Sequence, residues 1–140
     1  MTHKIRLILL FMTTTLAMQA QSKFDPAKFR AELHRHIMIE ARLTQAEADK
    51  FFPLFDELKT KQRAIHRKMR ELTKVPPTTD AACKSVILKH DNMEIEMKQL
   101  ERTYHEKFQK VLPSSKVYAV LRAERGFHKA TLQKAAKRHH

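Results

Sequence analysis

The sequence of 140 residues contains 1 glycine, no tryptophan and 5 prolines, and these scarcities restrict its fold. Sheets and tight turns use glycine wherever the backbone adopts a positive φ, whereas a helix interior avoids both glycine and proline. Charged residues make up 31% of the chain, which suits the solvent-facing sides of helices. Length and composition therefore predict an all-helical protein, with a single helical domain over residues 21–140.

Cysteine and aromatic residues are also scarce. Cys83 is the only cysteine, which excludes an internal disulfide and a zinc site built from several cysteines, and leaves an intermolecular disulfide open. The 8 Phe and 2 Tyr supply all of the aromatic bulk. Long polar helices with so few large side chains predict a core that is thin or shared between chains.

Basic residues outnumber acidic ones, with 28 Lys and Arg against 15 Asp and Glu, and the formal net charge is +13. Such a charge favours acidic partners, which include nucleic acid, an anionic membrane surface and negatively charged proteins. The charge by itself does not choose among these three classes of partner.

The N-terminus has the pattern of a secretory signal peptide over residues 1–20. Lys4 and Arg6 precede a short apolar run, and Ala20 provides the predicted cleavage site, with Ala17 as the alternative. The run is too short to cross a bilayer comfortably, and no second long apolar segment follows it. The pattern predicts an exported, soluble protein without an integral membrane segment. Export also argues against nucleic acid as a native partner.

The stretch from Leu43 to Leu72 carries the clearest helical pattern. Thr44 and Glu47 have the spacing of a capping box, in which each side chain accepts a hydrogen bond from the other residue's backbone N–H. Pro53 lies too deep for a first-turn proline, so we expect a bend there. Steps of four and three, with Gln62 filling one slot, place a set of apolar residues on one face: Phe51, Phe55, Leu58, Ile65, Met69 and Leu72.

Other capping and proline signals divide the rest of the chain into three further helices. Asp25 and Pro26 supply an N-cap and a first-turn proline. An apolar stripe from Val86 to Val111, with Phe108 beside it, matches the stripe of the preceding helix. The two stripes predict a long, bent antiparallel helical hairpin with flanking N- and C-terminal helices. The predicted helix bounds are 26–41, 45–73, 80–111 and 114–136.

A short internal repeat links the starts of the second and fourth helices. Leu43-Thr44-Gln45-Ala46-Glu47 aligns with Leu112-Pro113-Ser114-Ser115-Lys116, which places Lys116 on Glu47. Together with the signal-peptide pattern and the basic helices, these stretches resemble the twice-used Leu-Thr-x-x-Gln motif of the Spy/CpxP family of periplasmic proteins. Glu47 and Lys116 stand where the family has Gln, and Pro113 stands where it has Thr.

The resemblance implies a periplasmic protein whose two chains form a cradle-like homodimer. In some members of the family it also implies ATP-independent chaperone activity on unfolded envelope proteins. Other members bind or sense metal, so a metal-binding or metal-sensing protein of the same fold is an alternative. An adaptor that restrains a membrane stress sensor through its basic face is another.

The basic residues of the second and fourth helices suggest how such a protein holds an acidic or unfolded client. Long basic side chains lie along apolar surface while their charged heads stay in water, so one surface can bind both acidic and apolar parts of a client. An ordinary solvated helix face is the alternative. The candidate client-binding residues are Phe51, Phe52, Leu54, Phe55, Leu58, Lys61, Arg63, Ile65, Arg67, Lys68, Met69 and Arg122.

Four of these candidates surround a single turn of the second helix. Phe51 and Phe55 belong to its apolar face, whereas Phe52 and Leu54 point to other sides. A thin helical layer cannot bury all of these sides within one chain. We therefore expect the spare side, with Phe52 and Leu54, to meet a second chain or a client.

The chain contains 9 histidines, which raises the question of a metal site. His36 with Glu40, and His90 with Met93 or Glu94, have spacings that share a helix face, but no third ligand is fixed. We therefore predict no tight metal site and no cofactor. The sequence has no glycine-rich phosphate loop and no nucleophile elbow, which argues against an enzyme.

Overall fold

The computed structural model describes residues 24–137, which form four α-helices and, within that range, no strand. The helices are α1 (Pro26–Glu40), α2 (Gln45–Leu72), α3 (Asp80–Val111) and α4 (Ser114–Lys137). The predicted all-helical fold is confirmed, and the predicted bounds of each helix lie within one residue of the observed bounds. The predicted signal peptide lies outside the described residues.

The first three helices begin at side chains that accept hydrogen bonds from free backbone N–H groups. Asp25 accepts two such bonds, at 2.9 and 3.2 Å. Thr44 Oγ1 accepts from the Glu47 N–H at 3.2 Å, and Glu47 Oε2 accepts from the Thr44 N–H at 2.8 Å, which completes the predicted capping box. Thr79 Oγ1 accepts from the Ala82 N–H at 3.2 Å. These short polar side chains fix where the helices start because they satisfy donors that the helix itself leaves free.

A tight turn reverses the chain between α1 and α2. The Leu43 N–H donates to the Met38 carbonyl at 3.0 Å, and the Arg42 N–H donates to the Ile39 carbonyl at 3.2 Å. Arg42 adopts a positive φ of 50°, in the left-handed region. Because a side chain crowds the backbone there, this conformation costs about 1 kcal/mol relative to glycine.

Helix α2 packs mainly against α3, and α1 packs mainly against α4. Phe51, near the start of α2, contacts Phe108, near the end of α3, with ring centroids 4.8 Å apart. Farther along α2, Met69 packs with Met97 from the middle of α3. Residues early in α2 thus contact residues late in α3, and residues late in α2 contact residues earlier in α3, so the two helices run in opposite directions. Pro53 lies inside α2, which remains helical across it.

The main core lies where the four helices meet, near the two short turns before α2 and α4. Phe108 is completely buried in it rather than beside the apolar stripe, because it packs against both Phe51 and Phe55. A smaller cluster of Ile65, Met69 and Met97 lies farther along α2 and α3. The largest side chains with almost no exposure are those of Tyr104, Phe51, Phe55, Phe108, Ile37 and Val120.

None of the helices between residues 24 and 137 combines the length and the apolar character that crossing a bilayer requires.

Candidate functional site

The two copies of the internal repeat lie against each other. Lys116 Nζ lies 2.5 Å from Glu47 Oε2 and also donates a hydrogen bond to the Arg42 carbonyl at 3.1 Å. Leu43 and Leu112, which open the two copies, are both buried in the main core. Residues 69 positions apart in the sequence thus join the start of α2 to the start of α4.

The charge of Glu47 strengthens this contact. The hydrogen bond from Lys116, followed by that from the Thr44 backbone, lowers the pKa of the Glu47 carboxyl. Both donors bind the ionised carboxylate, so the contact is present at neutral pH. Since its leucines are buried and its polar groups satisfy one another, the geometry favours a structural role for the repeat.

Most of the apolar residues predicted to bind clients face the interior. Phe51, Phe55 and Leu58 are at most 3% exposed and belong to the main core. Ile65 and Met69, in the smaller cluster, are 5% and 7% exposed. In this conformation these five side chains hold α2 against α3, and apart from the edge of Phe55 that lines a groove beside α1 they offer no free surface to a client.

Phe52 and Leu54 are only half-buried. The Phe52 ring stacks on the His34 ring, with centroids 4.1 Å apart and planes 15° apart. His34 Nε2 in turn lies 2.7 Å from Asp56 Oδ1, which ties α1 to α2. Leu54 packs against the edge of the main core. Parts of both side chains therefore stay exposed to solvent.

The basic residues predicted to attract clients are all exposed. They are Lys61, Arg63, Arg67, Lys68 and Arg122. Lys61 forms an ion pair with Glu57, with Nζ 3.3 Å from Oε1. The other four have no carboxylate within 4 Å among residues 24–137, so their charges are available to an acidic partner.

Tyr104 lies close to the pair of Glu57 and Lys61. Its ring is buried, and the ammonium groups of Lys61 and Lys107 lie 5.8 and 4.3 Å from the ring centre. The Tyr104 hydroxyl, followed by Lys61, lowers the pKa of Glu57, and Glu57, followed by Tyr104, raises the pKa of Lys61. The hydroxyl therefore lies near both charges, although it completes no hydrogen bond of ordinary geometry.

A chain of polar contacts joins α2 to both α3 and α4. Gln62, which interrupts the apolar stripe of α2, donates to Glu101 on α3 at 3.1 Å. Lys59 donates to Gln62 at 2.9 Å and forms an ion pair with Glu124 on α4. Lys98 donates to Glu101 at 2.9 Å, and this contact raises the pKa of Lys98. The middle of α2 is thus held by specific polar partners as well as by apolar packing.

A set of exposed apolar residues that the sequence patterns missed lies in and beyond the loop after α2. Val75, Ile87, Leu88 and Ile95 are 77%, 62%, 60% and 55% exposed. They lie outside the apolar stripe of α3, and no residue of α3 before Met97 is buried. Three large apolar residues off the stripe of an amphipathic helix were the signal that could have revealed them.

Val75, Ile87 and Leu88 lie in a strongly basic part of the chain, and Ile95 follows that part between Glu94 and Glu96. Residues 61–90, which we call the basic arm, contain eight basic and two acidic side chains. Leu88 belongs to the arm, and Ile95 lies two turns later on the same side of α3. The arm therefore offers apolar side chains and unpaired positive charges on one continuous segment.

His36 and His90, the two histidines considered as metal ligands, lie on different helices. His36 is half-buried with its ring 5.5 Å from that of Phe127, and His90 is half-buried on α3. Cys83 Sγ lies 3.8 Å from the Pro77 carbonyl oxygen. Across the described part of the chain, no three His, Cys, Asp or Glu side chains are placed to hold one metal ion. The predicted lack of a tight metal site stays a prediction.

Comparison of the chain with protein-family models, with curated proteins and with solved structures finds no match. The resemblance to the Spy/CpxP family thus remains a hypothesis that rests on the sequence features described above.

Proposed function

We propose that the protein is an exported, periplasmic chaperone that works without ATP and binds unfolded, acidic segments of envelope proteins on its basic arm. The observation that supports this most is the exposure of Ile87, Leu88 and Ile95 within and beside that arm. Large apolar side chains left in water favour contact with a partner, because burial is favourable by about 25 cal/mol per Å².

In this proposal, charge brings the client to the arm and apolar contact then holds it. Arg67 and Lys68 on α2 have no carboxylate neighbour among the described residues, and Lys84 and Lys89 flank Leu88 on α3. Long basic side chains adapt to many sequences because their flexible stems can lie along apolar surface. The binding is therefore loose and tolerant of sequence, as a holding chaperone requires, and no catalytic step is involved.

The proposal also includes a homodimer in which the long helices form bent hairpins and two chains form a cradle. The half-exposed Phe52 and Leu54 support it, because each leaves part of an apolar side chain in water next to the main core. The family resemblance supports the same arrangement. A dimer places two basic arms in one assembly, which strengthens the capture of long unfolded chains.

Suppression of aggregation tests the proposed function. The test variant carries Leu88→Ser and Ile95→Ser, and the control variant carries Tyr118→Ser and Leu132→Ser, which alter two exposed apolar side chains of α4. Light scattering from an acidic unfolded protein is followed without nucleotide, and circular dichroism checks that both variants stay helical. We expect the test variant to lose most of its protection and the control to keep it. Equal protection by the two variants would contradict the proposal.

A further inference from the structure

A groove with a volume of about 650 Å³ separates the first half of α1 from the middle of α2. Phe24, Phe29, Leu33 and Phe55 supply its apolar lining. Leu33 and Phe55 are almost completely buried and form the floor, whereas Phe24 is 69% exposed and lies at the rim. The groove is therefore apolar at depth and open to solvent at one side.

The charged side chains of this groove are mostly basic. Among residues 24–137, Asp56 is the only acidic residue that lines it, and its carboxylate already lies 2.7 Å from His34 Nε2. Lys59 lines it as well, but its ammonium is already paired with Glu124. The charges that remain available to a ligand are those of two arginines.

Arg30 and Arg63 line the groove from α1 and from α2, respectively. Both are exposed, and neither has a carboxylate within 4 Å among residues 24–137. Arg63 Nη2 donates to Thr60 Oγ1 at 2.9 Å, and Thr60 also lines the groove, so this guanidinium is held at the groove. An apolar floor thus lies beneath two guanidinium groups without anionic partners.

We propose that this groove binds one single-chain anionic amphiphile of the fatty-acid class, a function beyond the proposed chaperone activity. The hydrocarbon chain lies over Phe29, Leu33 and Phe55, and the carboxylate binds at Arg30 and Arg63. Guanidinium groups suit this role because they bind carboxylates through two parallel hydrogen bonds. The volume lies within the range of about 300 to 1,000 Å³ that is typical of small-molecule sites.

Calorimetric titration of the purified protein with dodecanoate, below its micellar concentration, tests the site. We expect one saturable site per chain. Arg30→Gln with Arg63→Gln should weaken the binding about tenfold or more, because both partners of the carboxylate are lost. The matched control, Arg67→Gln with Arg70→Gln, removes two exposed arginines of α2 outside the groove and should leave the affinity unchanged.

Two further measurements test the apolar lining and the sign of the charge. Phe24→Ser should weaken dodecanoate binding without a loss of helicity, since this side chain lies at the exposed rim. Dodecyltrimethylammonium, with the same chain and the opposite charge, should not compete. The inference is overturned by a lack of saturable binding, by equal weakening in both arginine variants, or by equal binding of the cation. Binding to phosphatidylglycerol vesicles without binding of free dodecanoate would also overturn it.

Discussion

Lys116 binds Glu47 across the two short turns of the fold, and the same carboxylate oxygen accepts the backbone N–H of Thr44. One oxygen atom therefore caps α2 and also holds the start of α4. This arrangement explains why an acidic residue at 47 and a basic residue at 116 occupy equivalent positions of the internal repeat.

The contact predicts how stability depends on pH. Because the pKa of Glu47 is lowered in the folded chain, the contact stabilises the fold above the ordinary pKa of a glutamate and loses this effect as the pH falls through the lowered value. Glu47→Gln should therefore reduce the free energy of unfolding at pH 7, and the difference from wild type should shrink toward pH 3. Urea unfolding at several pH values measures this. A difference that stays constant over that range would show that the charge of Glu47 is irrelevant.

The left-handed turn at Arg42 predicts a stabilising substitution. Arg42→Gly removes the side chain that crowds the backbone at a φ of 50°, and the carbonyl that accepts from Lys116 remains. The free energy of unfolding should rise by up to about 1 kcal/mol. The control is Arg35→Gly, at an exposed position inside α1, which should lower it by about 1 kcal/mol. A loss of stability in both variants would exclude strain at Arg42.

The surroundings of Tyr104 predict a change in the pKa of a neighbour. Tyr104→Phe removes the hydroxyl that contributes most to the lowered pKa of Glu57, so this pKa should rise toward its ordinary value. Lys61→Met should raise it as well, because both the hydrogen bond and the positive charge of this lysine lower it. Carboxyl carbon shifts followed by NMR give both values. An unchanged pKa in the Tyr104→Phe variant would show that the hydroxyl does not act on Glu57.

The exposed parts of Phe52 and Leu54 predict a separation between folding and association. Phe52→Ser with Leu54→Ser should leave most of the helicity while it reduces dimer formation, measured by light scattering after size exclusion. Phe51→Ala, at a completely buried site, should instead lower the free energy of unfolding by about 3 to 5 kcal/mol. If the double variant also unfolds, Phe52 and Leu54 belong to the core. If the wild-type protein is itself a monomer, the proposed homodimer is wrong.

Local signals in the sequence were enough to predict the helices. Asp25 and Thr44 are polar residues next to helix-forming stretches, and both accept backbone hydrogen bonds where expected. Such features depend on neighbours along one helix, so the spacing of residues reveals them.

The partners of each helix face depend on distant parts of the chain, and the sequence could not supply them. Phe51 and Met69 are equally suited to pack inside one chain or against a client, and the structure places both within the chain. The contact between Lys116 and Glu47 depends on how the two turns approach each other, and no local pattern in the sequence determines that. Leu88 and Ile95 were missed because they lie outside the repeating stripe that identifies the helix.

The central claim is that charge on the basic arm captures acidic clients. The test variant carries Arg67→Glu and Lys68→Glu, and the control carries Lys28→Glu and Arg35→Glu, which change the net charge equally on α1. The measurement is the rate at which each protein captures an acidic unfolded client, from about 0.15 M salt, where the screening length is about 8 Å, to about 1 M, where it is about 3 Å. We predict slow capture for the test variant at low salt, near wild-type capture for the control, and convergence of all three at high salt. If the test variant captures its client as fast as wild type at low salt, the charge-led account is wrong.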